Sequence, residues 1–516
     1  MIGYARHAPT HVTASRWISR TAVVAMSASI ALTVVLGIQG PASGSAVAGS
    51  PAGCACSTVL PAAPPWPPWS FHLRPAPLLV SITMWLVELL GGVGLALGLI
   101  AVRRGWRPKP RRVIAASVVA VAALMVLPPV DNGDPTIYAA FGRIAALGHS
   151  PYVMTPGQLR SSGDPVGRIV EPAYWNLPSR YGPVATVTEA AASELAGDSA
   201  PHTIFWLKVW NALAYLAVVL ALDRVVRSDA ARRARAHLLW SVNPLMLFAI
   251  MANGHNDVVA VAAGASALFV LRRVESRRAL LAGVLVGLAT AFKAQYALFG
   301  AGLAWAARRS PRALAALAVG AVAILVPSYL LAGRAAISAT GGMIHLPPTG
   351  PWLAVAKVLG WADSIARINV LGLIGSAVLA AILLWRMPQG PRELPAVRIA
   401  LALALGLLIL SPQQTAWYDA MIFPLLAVMP ATRLDWIVVG RATALAAISQ
   451  PYFVRLDPAW LITIENSKLT SPNLVLGALV IALLWLCTTR AWNPIPGQAD
   501  RLVTAIRADP GARSPT

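Results

Sequence analysis

Val113-Ile-Ala-Ala-Ser-Val-Val-Ala-Val-Ala-Ala-Leu-Met-Val-Leu-Pro-Pro-Val130 runs without a charge straight into Asp131-Asn-Gly-Asp134-Pro-Thr-Ile-Tyr138-Ala-Ala-Phe-Gly142. An uncharged run of this length matches the hydrocarbon thickness of a bilayer and reads as a membrane helix. It ends in two carboxylates. A carboxylate is costly to dehydrate at a membrane rim, so its presence there raises a functional question.

Runs of the same kind recur on both sides of this stretch. They are expected near 21–38, 78–102, 113–130, 204–222, 236–252, 256–271, 279–292, 294–307, 313–332, 368–385, 396–411, 417–431, 434–450 and 473–489. The neighbours 279–292 and 294–307 are short enough to read also as one broken helix plus a re-entrant piece. The chain has 516 residues, 57% of them hydrophobic and 12% charged, with mean hydropathy +0.64. A soluble protein of this size has no interior large enough for that apolar surface, so the expected fold class is an all-α polytopic membrane protein. It would be a bundle of about 12–14 transmembrane helices with a large outer loop after the third helix.

The net charge of +22 does not point to nucleic acid, because the basic clusters lie between apolar runs. Examples are Arg103-Arg104, Arg111-Arg112, Arg232-Arg233-Ala-Arg235, Arg272-Arg273, Arg277-Arg278 and Arg308-Arg309. Cytoplasmic retention of basic loops produces this pattern. The expected topology therefore has both termini in the cytoplasm. Residues 1–20 would form a cytoplasmic segment, 21–489 the integral membrane domain, and 490–516 a disordered cytoplasmic tail. Thr21–Ile38 reads as a retained first helix, with a cleaved leader as the alternative. Cys54, Cys56 and Cys487 form neither a disulfide framework nor a metal quartet. Two outer loops are long, 131–203 and 333–367, and the first holds Asp131, Asp134, Asp164, Glu171, Glu189, Glu194 and Asp198. Elaborated outer loops place the working end outside.

Five constellations carry candidate chemistry. Asp134 before Pro135 suits a helix N-cap, and it also suits a general base held at the membrane surface; capping would orient that base. Asp131 reads as a nearby acid. Ser179-Arg180-Tyr181-Gly182-Pro183 is turn punctuation, or an outward Arg able to grip a phosphate bidentately. Asn253-Gly254-His255-Asn256-Asp257 is a polar turn in which Asn256 or Asp257 caps the next helix, or a set of donors for a sugar or phosphate. Lys293, in Ala-Thr-Ala-Phe-Lys293-Ala-Gln295-Tyr296, reads as a snorkelling helix-end lysine or as a cation for an anionic lipid head group. Trp417-Tyr418, after Ser411-Pro-Gln413-Gln414, reads as an interfacial belt or a pyranose-stacking surface. Glu88, inside an apolar run, has no assigned role. Dinucleotide, phosphate-loop and zinc motifs are missing, so an activated donor would have to arrive on a lipid phosphate.

With these motifs in order, the chain resembles the GT-C superfamily of integral-membrane glycosyltransferases. More narrowly, it is similar to the polyprenol-phosphate-mannose-dependent α-1,6-mannosyltransferases that build lipomannan cores in actinobacteria. The matching segments are Gly133-Asp134-Pro-Thr-Ile-Tyr138-Ala-Ala-Phe-Gly142, His149-Ser-Pro151-Tyr152, Ser179-Arg180-Tyr181-Gly182-Pro183, Asn253-Gly254-His255-Asn256-Asp257 and Trp417-Tyr418. The resemblance implies a polyprenyl-phosphate-mannose donor and a mannan or lipoglycan acceptor on the extracytoplasmic face. It implies Asp134 as base, with Asp131 as the alternative, and a donor phosphate near Arg180, His255 or Lys293. Tyr138, Tyr181, Asn253, Asn256, Asp257, Trp417 and Tyr418 would line the sugar and acceptor sites. No cofactor and no obligatory metal are expected. The rival readings are another polyprenyl-phosphate sugar, such as arabinose or glucose, and a lipid-linked saccharide transporter or flippase.

Overall fold

The structure is a computed structural model. It describes residues 10–40, 66–71, 73, 75–130, 133–170, 172–341, 352, 358–361, 365–412, 415–449, 477–478, 481–483 and 485. Asp131, the cysteines Cys54, Cys56 and Cys487, the pair Gln413-Gln414, about half of the second long loop and the tail lie outside the described residues, as does most of the expected last span.

Among the described residues the regular elements are helices. They are α1 (Thr10–Gln39), α2 (Pro77–Arg103), α3 (Pro110–Met125), α4 (Asp134–Ala146), α5 (Pro156–Ser161), α6 (Pro165–Arg168), α7 (Pro183–Ala196) and α8 (Ala200–Val226). The central set is α9 (Ala230–Ala236), α10 (Pro244–Met246), α11 (Asp257–Val270), α12 (Ser276–Phe292), α13 (Ala297–Ala307) and α14 (Pro311–Ala332). Then come α15 (Arg334–Gly341), α16 (Ile365–Arg386), α17 (Val397–Leu410), α18 (Phe423–Val428) and α19 (Leu434–Ser449). Five helices among the described residues are long and apolar enough to cross a membrane: Arg16–Gln39, Leu78–Arg103, Ala200–Val226, Pro311–Ala332 and Ala366–Arg386. Shorter apolar helices, including Asp257–Val270 and Val397–Leu410, pack between them.

Several spans are broken rather than continuous. The third helix stops at Met125, ahead of Pro128-Pro129, because proline removes a donor and disfavours helix in the residue before it. The expected span 236–252 divides at Asn243, whose side chain caps Leu245 and Met246. Single π-helical stretches, His237–Ser241 and Leu247–Ala252, flank that break. At Lys293 the backbone is extended (φ −153°, ψ 120°), so 276–307 is two helices joined by the short turn Ala294–Tyr296.

The large loop after α3 is itself helical. Each of α4 to α7 has proline in its first turn, where the missing N–H would be unpaired anyway. Thr155 closes a capping box with Gln158, and Asp164 caps α6. Helix α4 is buried on both sides. Tyr138 and Ala139 pack against Ile204 and Leu207 at the start of α8, while Ile137, Phe141 and Ile144 pack against Leu159 and Val170.

At the opposite end of the bundle the basic connectors do more than mark topology. Arg235 grips Asp435 bidentately at 2.9 and 2.5 Å, is 4% exposed, and also donates to the carbonyls of Ala427 and Met429. Arg103 joins the same carboxylate at 3.4 Å. Asp223 holds both Arg233 and His237. A fully desolvated charge must be paired, and here the pairing ties α9 to the start of α19.

Candidate active site

The site begins with the way two helices start. Helix α4 opens on Asp134 and helix α11 on Asp257. The expectation that Asp134 caps its helix is corrected: Gly133 is the N-cap residue, and no side chain caps. The same correction applies to Asn256 and Asp257, since Asn256 is the N-cap residue but makes no capping bond. Both carboxylates therefore keep the favourable position near a helix N-terminus and turn elsewhere.

Asp134 turns to His255 and to two tyrosines. Its Oδ2 lies 3.4 Å from His255 Nδ1 and accepts from the Tyr138 hydroxyl at 3.3 Å. Its Oδ1 accepts from the Tyr174 hydroxyl at 3.4 Å. Tyr181 in turn donates to the Tyr138 hydroxyl at 3.3 Å, with the two rings edge to face. Burial works to raise the Asp134 carboxyl, but the hydrogen bond and charge of His255, with Lys293 and Tyr138, outweigh it and hold the group below the ordinary carboxylate range. The Asp134 side chain keeps 17% of its surface exposed, so the carboxylate remains reachable.

His255 is fully buried. Its ring lies flat against Trp417, with centroids 3.8 Å apart and planes at 13°. Gly254, just before it, has φ +76°, which glycine adopts without the clash a side chain would bring, and its Cα faces Pro135 and Lys208.

Lys293 does not snorkel. It sits in the break between α12 and α13, donates to Asp257 Oδ1 at 2.7 Å, and lies over the rings of Tyr418 at 4.3 Å and Tyr181 at 5.2 Å. Tyr296 donates to the Asp257 carbonyl. Trp417 and Tyr418 are likewise not a lipid-facing belt, since one stacks on His255 and the other packs beneath Lys293. Their turn is anchored by a buried ion pair between Asp419 and Arg441.

The contacts close into a ring: Asp134 to Tyr138, Tyr181, Lys293, Tyr418, Trp417, His255 and back to Asp134. Asp257 joins it through Lys293. Asn256 faces away from it, toward Glu189, whose carboxylate accepts from its amide at 3.2 Å. Burial pushes Glu189 well above the usual range, only partly offset by that amide. Asn253 is buried beside the turn. Arg180 is half-buried, and among the described residues its guanidinium makes no hydrogen bond or ion pair. Among those same residues, no group of three or more His, Cys, Asp or Glu is placed to hold a metal ion.

Sequence reasoning missed Tyr174, Glu189, Lys208, Asn211 and the Asp419–Arg441 pair. Tyr174 and Glu189 lie in the loop already singled out for its acids and aromatics. Lys208 was visible as a lone cation inside an apolar run. For Asn211, and for the partnership of Asp419 with Arg441, local sequence carries no signal.

Fold and site together define an all-α polytopic membrane protein with an Asp134–His255 contact at the loop end of its bundle. The chain belongs to the alpha-(1->6)-mannopyranosyltransferase family: the family described as "Alpha-(1->6)-mannopyranosyltransferase, N-terminal domain" matches residues 42–309, just over half of it. It is 25% identical over 426 residues to alpha-(1->6)-mannopyranosyltransferase A of Mycobacterium tuberculosis, covering 73% of this chain and 79% of that protein. It is 25% identical over 304 residues to a "Probable alpha-(1->6)-mannopyranosyltransferase" of Mycolicibacterium smegmatis, covering 55% of this chain and 50% of the other. Alpha-(1->6)-mannopyranosyltransferase B of Corynebacterium glutamicum matches at 26% over 139 residues, 27% of this chain and 23% of that one. The chain thus spans half or less of the length of two of these relatives.

Proposed function

We propose that this protein is a membrane mannosyltransferase that moves mannose from a polyprenyl-phosphate-mannose donor to a mannan or lipoglycan acceptor, forming α-1,6 linkages. The observation that carries the reading is a reachable carboxylate, Asp134, kept ionised by His255 and tyrosine hydroxyls in a chain of this family. Asp134 accepts the proton of an acceptor hydroxyl, whose oxygen attacks the anomeric carbon. The bond from that carbon to the phosphate oxygen breaks, and its electron pair leaves with the phosphate. Attack opposite the leaving group inverts a β-linked donor to an α-linked product. A phosphate leaves without protonation, so one carboxylate serves where an inverting glycosidase needs two.

The ring of contacts divides the cations by role. Lys293 is committed to Asp257, and His255 to Asp134 and Trp417. Of the three cations, Arg180 is the one with no partner among the described residues, which favours it as the first contact of the donor phosphate. In the proposed topology the loop end of the bundle faces away from the cytoplasm, which agrees with the basic connectors gathering at the other end.

The test is transfer of radiolabelled mannose from polyprenyl-phosphomannose to a short α-1,6-mannoside by membranes holding wild type, Asp134→Ala or Asp131→Ala. Asp134→Ala is expected to abolish transfer while the protein still inserts. Full activity in that variant removes Asp134 as base. If wild type accepts a pentose donor and refuses mannose, the donor assignment fails.

A further inference from the structure

The two members of the Asp134–His255 pair arrive on separate segments. Asp134 follows α3 and its proline turn, and His255 follows the broken stretch that ends at Ala252. Both segments are gripped by one side chain of α8. Lys208 is 1% exposed, and its Nζ donates to the Leu127 carbonyl at 2.6 Å and to the Ala252 carbonyl at 3.4 Å. One turn along, Asn211 Nδ2 donates to the carbonyl of His255 itself at 3.0 Å.

A buried ammonium group ordinarily needs a carboxylate. Among the described residues Lys208 has none, and its hydrogen-bond partners are main-chain carbonyls. The Ala252 carbonyl ends a helical stretch, where the peptide dipoles present partial negative charge, and the Leu127 carbonyl lies in the turn two residues past the end of α3. The cation is thus satisfied only while both chain ends converge on it. The same spot is where Gly254, with its positive φ of +76°, approaches Pro135 and the Lys208 stem, so that a Cβ there would stand 3.2 Å from Pro135 and 3.6 Å from Lys208.

We propose that Lys208 and Asn211 are positioning residues that set the separation of Asp134 and His255, acting through the main chain that delivers each. The proposal rests on the reading of Asp134 as base. It assigns to α8 a function that a membrane span would not otherwise need.

The experiment compares wild type with Lys208→Met, Lys208→Gln and Asn211→Leu in purified, detergent-held full-length protein. Two readouts are taken. The first is mannose transfer from polyprenyl-phosphomannose, split into kcat and KM for the donor. The second is the ring-nitrogen NMR signal of His255 in protein labelled with 15N-histidine, assigned by its loss in His255→Gln. Lys208→Met is expected to lower kcat on the order of 100-fold, since a displacement of about 1 Å at reacting groups has that effect, with donor KM little changed. The His255 signal should move, and Lys208→Gln, which keeps a donor, should recover part of both. Asn211→Leu should move the His255 signal alone or with a smaller fall in kcat. Unchanged kcat and an unchanged His255 signal in folded Lys208→Met overturn the proposal, as does a lower yield with wild-type kcat per folded molecule. If Lys208→Met does not fold, Lys208→Gln and Asn211→Leu decide on the same criteria. If wild type itself transfers no mannose, the functional reading fails, and the NMR signal alone decides the positioning role.

Discussion

Replacing Gly182 by alanine should damage the site without touching any polar group in it. Gly182 has φ −74° and ψ 169°, a conformation alanine adopts freely, so the effect comes from space alone. Its N–H donates to the Phe292 carbonyl at 2.9 Å, and a Cβ there would stand 2.0 Å from the Ala291 carbonyl oxygen and 2.6 Å from its carbon. Both are backbone atoms, which no rotamer change can move aside. To bring the nearest contact out to 3.0 Å the two strands of chain must part by ~1 Å. One of them carries Tyr181 and the other Lys293, which now face each other at 5.2 Å. The Tyr181 hydroxyl bond to Tyr138 is already 3.3 Å long and would not survive such a shift. Overpacking of this kind costs about 1–3 kcal/mol of stability, and misplacing groups around the base by ~1 Å lowers kcat on the order of 100-fold. The assay is transfer from polyprenyl-phosphomannose by purified Gly182→Ala, alongside its thermal unfolding midpoint. Gly300→Ala serves as control, because a Cβ there meets its nearest neighbour at an ordinary 3.7 Å. Wild-type kcat and midpoint in Gly182→Ala would refute the argument that this close approach sets the site.

Four other outcomes are expected. Asp134→Asn should lower kcat by about 10²–10⁴ with little change in donor KM, the range attributed to a positioned base. Because the folded carboxyl is held below the ordinary range, its charged form and the stability it contributes are present above the unfolded-state value and are lost only as pH falls through the lower folded one. Wild-type kcat/KM should therefore show no acid limb from Asp134 between about pH 5 and 8, and a limb there that vanishes in Asp134→Asn would contradict this. Arg180→Gln should raise donor KM by on the order of 10–100-fold and leave kcat nearly intact, as loss of a charge-assisted contact does; an unchanged KM removes Arg180 from the phosphate site. Lys293→Met strands the buried Asp257 carboxylate and should cost about 3–5 kcal/mol, read as a lower unfolding midpoint, with partial recovery in Lys293→Met/Asp257→Leu.

Much of the fold was legible because its signal is local. Apolar runs between basic connectors mark helices and their ends, and a proline after each turn of the large loop marks where α4 to α7 begin. The break at Lys293 was legible as the gap between two short apolar runs, whereas the one at Asn243 was not, since a short apolar run looks alike whether the helix continues or not. The capping expectations at Asp134 and Asn256 failed for a related reason. Side-chain spacing suits a cap there, but a cap competes with tertiary partners, and His255 and Glu189 win.

By itself the sequence determined the membrane class, the ends of most helices and the motifs that resemble a lipid-dependent mannosyltransferase. It also singled out Asp134, Arg180, His255, Lys293 and Trp417-Tyr418 as separate points. Only the tertiary structure decided what each point is bound to. It turned Trp417 onto His255, committed Lys293 to Asp257, left Arg180 uncommitted among the described residues, and recruited Lys208 across a separation of 81 residues and Asp435 to Arg235 across 200. Hydropathy and helix signals act over a turn or two of chain. The pairing of buried charges depends on which helix ends meet in space, and those meetings are set by packing of the whole bundle.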